Sequence, residues 1–281
     1  MILKEKQLTN SQNPKMRAGE EAEKQMAFYL KRAFANSNDC FVLNDLRIIH
    51  NDDVAQVDHL VVTPFGLFII ESKSVHGKII VNKRNEWSRT YNRVPEGMPS
   101  PVLQAEAQGK VLKGLLVENK EALLGKALFG TTQKGFLNCQ IFVYVAISDK
   151  GIIEREHEVK ELFKADQICK SIATQLESLK KKNSLLNLSA SPVWEINPEE
   201  TKKVADFLLK KHKPSLEINL IKPVTSIAES KLAALDTSEK IQLEENDACP
   251  KCTIGKLIKR KAKTEFLGCS QYPKCKFTSY R

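Results

Sequence analysis

At 281 residues the chain is long enough for one large domain or two small ones, with an apolar core that needs no disulfide staples. Hydrophobic residues at 42% and charged residues at 28%, with 12 Gly and 11 Pro, exclude collagen, coiled-coil and disordered classes. The 44 Lys and Arg against 34 Asp and Glu leave +10, and most of the excess sits at one end: from Cys249 onward nine basic residues face one acid, Glu265.

Residues 1–15 read as a polar leader without the apolar stretch of a secretory signal. The longest apolar runs, Phe65 to Ile70 and Ile141 to Ile147, fall far short of the roughly 20 residues that cross a bilayer, so no membrane partner is expected. Ala18 to Phe34 carries Ala22, Met26, Leu30 and Ala33/Phe34 at helical spacing. Glu20, Glu21 and Glu23 are expected to open this helix and Lys31 and Arg32 to close it, as the helix dipole prefers. Phe41 to Ile49, Val54 to Thr63 and Phe65 to Ser72 read as strands, the last two joined into a hairpin at Thr63-Pro64-Phe65-Gly66, and Lys78 to Val81 is expected to continue their sheet.

Helical spacing returns over Pro101 to Glu118, opened by a proline suited to a first turn, and Gln140 to Ser148 is apolar enough for a central strand. A helix is expected from about Glu158 to Leu179, and Asn197-Pro198-Glu199-Glu200 supplies cap, N1 proline and acidic first turn for another ending at Lys210-Lys211-His212-Lys213. Periodicity fades from Pro214 to Ala248, which reads as a linker with one short helix near Ala228 to Leu235. The hairpin requires an antiparallel pair and the later helix permits a parallel crossover, so the fold class is α/β with a mixed sheet flanked by helices. The predicted divisions are a leader (1–15), an α/β domain (16–150), a helical extension (151–213), a linker (214–248) and a cysteine module (249–281).

Charged residues interrupt the apolar hairpin at Asp58, Glu71 and Lys73. Residues i and i+2 of a strand share a face, so Glu71 and Lys73 project together, and counting outward from the turn pairs Asp58 with Glu71. Two converging carboxylates suit Mg²⁺ or Mn²⁺, and a neighbouring lysine can orient water and stabilise charge at phosphorus. A salt bridge at a strand end is the competing reading. His59 alternates to the face opposite Asp58 and is expected to pack or face solvent rather than act as a ligand, and Trp87 is expected to pack against the sheet.

These residues resemble a known family. Gly19-Glu20, Gln56-Val57-Asp58-His59-Leu60-Val61-Val62, Gly66-Leu67-Phe68-Ile69-Ile70-Glu71-Ser72-Lys73, Gly77, Trp87 and Pro101-Val102-Leu103-Gln104 are similar, in that order over Met16 to Ser148, to the nuclease-related domain (NERD) of the PD-(D/E)xK restriction-endonuclease-like superfamily. The resemblance implies a restriction-endonuclease-like sheet with Asp58, Glu71 and Lys73 as catalytic core, Mg²⁺ on Asp58 and Glu71, and support from Glu20 and Gln104. Ser72 departs from the pattern, standing where an apolar residue is common.

Of the seven cysteines, Cys40, Cys139 and Cys169 lie singly, while Cys249, Cys252, Cys269 and Cys275 form C-x2-C-x16-C-x5-C. Paired thiols at this spacing fit one closed, structural Zn²⁺ site, and a module this small requires the metal for its stability. Metal arithmetic rather than a disulfide framework favours a reducing compartment, and a cytoplasmic location is expected. The clustered positive charge points to an anionic partner such as nucleic acid, against the competing reading of a solvated surface. Cys249-Pro250-Lys251-Cys252, Phe266-Leu267-Gly268-Cys269-Ser270 and Tyr272-Pro273-Lys274-Cys275 resemble the four-cysteine zinc finger at the C-terminus of type IA DNA topoisomerases. That resemblance implies a zinc-ribbon-like finger binding DNA, single-stranded above all. Contacts would come from Lys251, Lys259, Arg260, Lys261, Lys263, Lys274 and Lys276, with Phe266 and Tyr272 among the rings available to stack on bases.

The sequence thus predicts a metal-dependent nuclease tethered to DNA by a zinc finger, acting in DNA processing or repair. A non-catalytic DNA-binding scaffold and an RNA-directed nuclease are the alternatives.

Overall fold

The computed structural model describes residues 1–7, 13–91, 94–127, 130–183, 193–214, 245–247, 249, 255–261, 265–272, 275 and 277–280. The chain divides into two compact units, Met1–Lys222 and Pro223–Arg281. The expected linker helix near Ala228 to Leu235 lies outside the described residues.

In chain order the first unit runs β1 (Ile2–Lys4), α1 (Pro14–Phe34), β2 (Phe41–His50), β3 (Asp53–Thr63), β4 (Gly66–Lys73), β5 (Lys78–Val81), β6 (Trp87–Tyr91), β7 (Val94–Met98), α2 (Pro101–Glu118), α3 (Lys120–Leu123), β8 (Lys126–Ala127), β9 (Thr132–Gln133), β10 (Ile141–Ile147), β11 (Ile152–Arg155), β12 (Leu162–Lys164), α4 (Ile168–Lys182) and α5 (Pro198–Lys211). The main sheet has the order β1-β2-β3-β4-β10-β12. Its β2-β3 and β3-β4 pairs are antiparallel and its β1-β2, β4-β10 and β10-β12 pairs parallel, the mixed sheet that the hairpin and crossover require.

Alternation along the strands sorts the core into two layers. Leu60, Val62, Leu67 and Ile69 face Ala105, Leu112 and Leu115 of α2 and Val204 and Leu208 of α5. Val61, Phe68, Ile70 and Tyr144 face Met26, Leu30 and Phe34 of α1 and Ile168 and Ile172 of α4. The hairpin turn depends on Gly66, whose φ of 142° suits glycine and where a Cβ would lie 2.5 Å from the Gln140 carbonyl oxygen. By the strand period of two, Glu71 continues the α2-facing row and His59 and Ser72 continue the α1-facing rows, while in β3 the alternation shifts between Val57 and Leu60, both in the α2-facing layer, and Asp58 stands at that shift.

Four expectations are corrected. The leader is not external to the domain: Ile2–Lys4 pairs in parallel with β2, with Ile2 beside Val42. The first helix starts at Pro14, capped by the Asn13 side chain, which accepts from the Lys15 N–H at 2.9 Å, so Glu20, Glu21 and Glu23 lie past its first turn. Lys78–Val81 joins a second sheet of order β11-β5-β6-β7 instead of the main one, and Trp87 is buried there as a packing aromatic. The helix expected from Glu158 begins at Ile168, because Leu162–Lys164 forms a strand on the free edge of β10. Short apolar segments of this kind carry no periodicity that separates strand from helix.

The second unit contains β13 (Leu257–Lys261), β14 (Glu265–Cys269) and β15 (Thr278–Tyr280), paired antiparallel in that order. Leu257 and Leu267 are its buried aliphatic side chains among the described residues, packed with three cysteines and Phe277.

Candidate nuclease and zinc sites

The hairpin register carries Asp58 to the position opposite Glu71, one step beyond the last ladder pair, His59 with Ile70. There the strands separate, and the Ser72 N–H donates to Asp58 Oδ2 at 2.8 Å in place of a ladder bond. Glu71 is only 3% exposed. Lys73 Nζ donates to its Oε1 at 2.6 Å and to Gln104 Oε1 at 3.2 Å, and Gln108 Nε2 donates to its Oε2 at 3.3 Å. Asp58, Glu71, Lys73 and Gln104 therefore converge. Burial first, and then the charges of Glu71 and Glu23, hold the Asp58 carboxyl well above the usual carboxylate range, outweighing the Ser72 N–H and Lys73.

A cleft of about 1070 Å³ opens over these groups, lined by Glu23, Asp58, Glu71 and Lys73 on one wall and by Lys78, Arg89 and Glu154 of the second sheet on the other. A second cleft of about 780 Å³, lined by His50, Gln56, Gln104, Gln108 and Lys110, also reaches Asp58. Asp58 thus stands where the two clefts adjoin.

Glu20 is half-buried on α1 and is not among the residues lining either cleft. Glu23 of α1 lines the larger cleft. At 100° per residue, Glu23 lies roughly 60° from Met26 around the helix and Glu20 roughly 120°, so the phase of the buried stripe already favoured Glu23. Gln108 was likewise legible, one turn beyond Gln104 on the same face of α2. Lys6 had no such signal. It pairs with Glu23 and lies 4.0 Å from Asp45 Oδ2, with its side chain 12% exposed.

Beneath the cleft His59 is fully buried and hydrogen bonded. Asn44 Nδ2 donates to the Lys4 carbonyl at 3.0 Å, which leaves Asn44 Oδ1 to accept from His59 Nδ1–H at 2.7 Å. His59 Nε2 then accepts from the Ser72 hydroxyl at 3.1 Å. Burial, with the Lys6 charge, pushes the imidazole down to about 3, so it stays neutral and fixes the backbone around Ser72.

The carboxylate donors fit a hard divalent cation: two acids approach each other in a buried setting where negative charge is costly, and both are anchored by neighbouring hydrogen bonds.

In the second unit the Sγ atoms of Cys249, Cys269 and Cys275 lie within 4.8 Å of one another, all buried, with Cys249 and Cys275 at 3.8 Å. A tetrahedral centre with Zn–S bonds of about 2.3 Å separates its sulfurs by about 3.8 Å, so the cluster is consistent with structural zinc. The Gln271 N–H donates to Cys269 Sγ at 3.4 Å, the bond a thiolate needs outside its metal. At Gly255 a Cβ would stand 2.5 Å from Cys269 Sγ, so the backbone passes too close for any other residue. Cys252, the fourth expected ligand, lies outside the described residues, as do Lys251, Lys263, Lys274 and Lys276.

Of the other expected nucleic-acid contacts, Lys259, Arg260 and Lys261 are on β13 and Phe266 is half-buried on β14. Lys259 Nζ pairs with Glu245 at 3.1 Å. The Arg260 guanidinium stands 5.3 Å from the centroid of the Tyr272 ring, which is 59% exposed.

Comparison with known families matches residues 18–148 to the nuclease-related domain and residues 246–280 to the topoisomerase DNA binding C4 zinc finger. No curated protein and no solved structure matches the chain. The chain therefore carries a nuclease-related domain over residues 18–148 and a topoisomerase-type C4 zinc finger over residues 246–280.

Proposed function

We propose that this protein is a metal-dependent nuclease that hydrolyses phosphodiester bonds in DNA, in DNA processing or repair in the cytoplasm, with its zinc finger holding the DNA. The observation that carries the reading is the convergence of buried Glu71 with Asp58 and Lys73 at the open end of the β3-β4 hairpin. Asp58 and Glu71 would hold Mg²⁺, which when bound supplies positive charge to the scissile phosphate and its attacking water. Lys73 Nζ orients the water and stabilises charge as it develops on the phosphate oxygens. Gln104 and Gln108 hold Lys73 and Glu71 in place, and Glu23 adds a third carboxylate from α1. In the hydrolysis the water oxygen bonds to phosphorus as a P–O ester bond breaks, the water proton passes to solvent and the leaving oxygen takes one up.

The finger would contribute affinity rather than chemistry. Its cationic strand β13 and the exposed Tyr272 ring, backed by Arg260, offer charge to phosphates and a face to an unstacked base. Tethering raises the concentration of DNA at the catalytic unit without any new contact there.

The test is incubation of the zinc-loaded full chain with Mg²⁺ or Mn²⁺ and labelled single-stranded, duplex and branched DNA and RNA. Divalent-dependent cleavage of DNA is expected. Cleavage of RNA alone would move the substrate, and no cleavage of any of them would leave a DNA-binding scaffold.

A further inference from the structure

We propose that Lys6, outside the family-matched residues, is a positioning residue of the carboxylate site: an internal counter-ion that holds Glu23 beside Asp58 and opposes divalent cations by its charge. The inference rests on reading Asp58 and Glu71 as the metal-binding pair.

The placement begins in the backbone. β1 lies parallel to β2, and Lys4 and Asn44 clasp each other: Lys4 Nζ donates to the Asn44 carbonyl at 2.9 Å and Asn44 Nδ2 to the Lys4 carbonyl at 3.0 Å. Next to this clasp Asp45 has a positive φ of 55° and drops out of the β2-β3 ladder, leaving a gap in the pairing beside Asp58. Lys6, two residues beyond Lys4, delivers its ammonium there, paired with Glu23 and 4.0 Å from Asp45.

A lysine at the surface keeps its head group in water. Lys6 does not. Burial alone would push its ammonium down, but the Glu23 hydrogen bond and the charges of Glu23, Asp45 and Asp58 more than reverse this and raise it, so it stays charged. A buried ammonium persists where surrounding acids offset its desolvation, and here one of those acids lines the cleft with Asp58 and Glu71.

The arrangement is two-sided. Lys73 pairs with Glu71 at 2.6 Å, and Lys6 pairs with Glu23. Among the described residues no ammonium lies within ion-pair distance of Asp58, whose carboxylate accepts from the Ser72 N–H. Two lysines therefore restrain the flanking acids while the middle one is left for a cation. Removing the Lys6 charge makes the cluster more negative by one unit, which strengthens attraction for a divalent ion and repulsion among the acids.

The experiment combines Mn²⁺ titration of the zinc-loaded full chain with melting of the same proteins without Mn²⁺, using wild type, Lys6→Met, Lys6→Arg, Glu23→Gln and Lys6→Met/Glu23→Gln, with Asp58→Asn as the blank for binding elsewhere. Lys6→Met should melt below wild type yet bind Mn²⁺ at least about threefold more tightly, and Lys6→Arg should behave as wild type. Glu23→Gln in the Lys6→Met background should cost less than in wild type. Unchanged or weaker Mn²⁺ binding by Lys6→Met, or additive melting shifts, overturns the proposal. If no protein binds Mn²⁺, the metal reading of Asp58 and Glu71 fails, and the opposition to divalent cations fails with it; the melting cycle still separately decides the pairing with Glu23. If Lys6→Met does not fold, the double variant, which leaves neither charge alone, should fold, and its failure also overturns the proposal.

Discussion

The carboxylate site and the thiolate cluster place acidic ligands close together, but they differ in what holds the ligands there. Asp58 and Glu71 extend strands whose next residues, Leu60, Val62, Leu67 and Ile69, are buried in a core built from two helices and a six-stranded sheet. Lys73, Gln108 and the Ser72 N–H offset their charge from within the protein. Among the described residues the thiol cluster has Leu257, Leu267 and Phe277 around it, a small apolar area beside the core of the first unit. The first site is organised by the fold before any metal is bound. The second is a thiol cluster consistent with structural zinc, and a unit of this kind draws its stability from the metal it binds.

The cysteines themselves make the same distinction. Burial pushes the thiols of Cys40, Cys139 and Cys169 up to about 11, 12 and 11, so these three stay protonated and inert in the first unit. Cys249, Cys269 and Cys275 meet one another instead.

The sharpest break between the sites is expected from the carboxylates. Glu71→Gln, which keeps shape and removes charge, should lower Mg²⁺-dependent cleavage by about a thousandfold while the melting temperature of the first unit holds or rises, since close carboxylates without metal repel each other. A strand-end salt bridge would show the reverse, lower stability and unchanged turnover. Next comes the finger. Cys269→Ser, or removal of zinc with a chelator, should abolish amide protection of β13 to β15 and leave the first unit folded, as read by hydrogen exchange. Protection that survives zinc removal would show that the finger does not depend on its metal.

Deleting residues from Cys249 onward should weaken DNA binding by at least about tenfold and flatten its salt dependence, because nine basic residues leave with the segment. Equal affinity and equal salt slope would place the DNA contacts elsewhere. Gly255→Ala should weaken zinc by about tenfold through the contact its Cβ makes with Cys269 Sγ, measured by competition with a chelating dye. The smallest effect is expected at Gln108→Leu: a severalfold loss in kcat with DNA affinity unchanged, since this side chain acts by orienting Glu71.

Much of this was legible because the informative residues break local rules. Charges at Asp58, Glu71 and Lys73 interrupt apolar strands, and the Pro64-Phe65 turn fixes a register that a one-residue slip would reverse. The helix over Pro101–Glu118 announces its start through Ser100 and Pro101. What stayed hidden depended on tertiary pairing. Ile2–Lys4 and Leu162–Lys164 are too short to show a period and become strands only because β2 and β10 present free edges. Lys6 belongs to a polar stretch with no pattern at all, and its importance comes from a distant helix and from Asp45, whose positive φ takes it out of the β2-β3 pairing. Glu23 is legible in the phase of the buried stripe, whereas Glu20 beside Gly19 is marked only by the resemblance.

The central claim is that Asp58 and Glu71 form one divalent-dependent hydrolytic site. Single-turnover cleavage of a labelled single-stranded oligonucleotide by zinc-loaded full chain tests it most directly, comparing wild type, Asp58→Asn, Glu71→Gln and the double variant with and without added Mg²⁺. Cleavage should require Mg²⁺, fall by about a thousandfold in each single variant, and fall scarcely further in the double, as groups acting as a unit do. Wild-type rates in either single variant, or cleavage indifferent to Mg²⁺, would contradict the account.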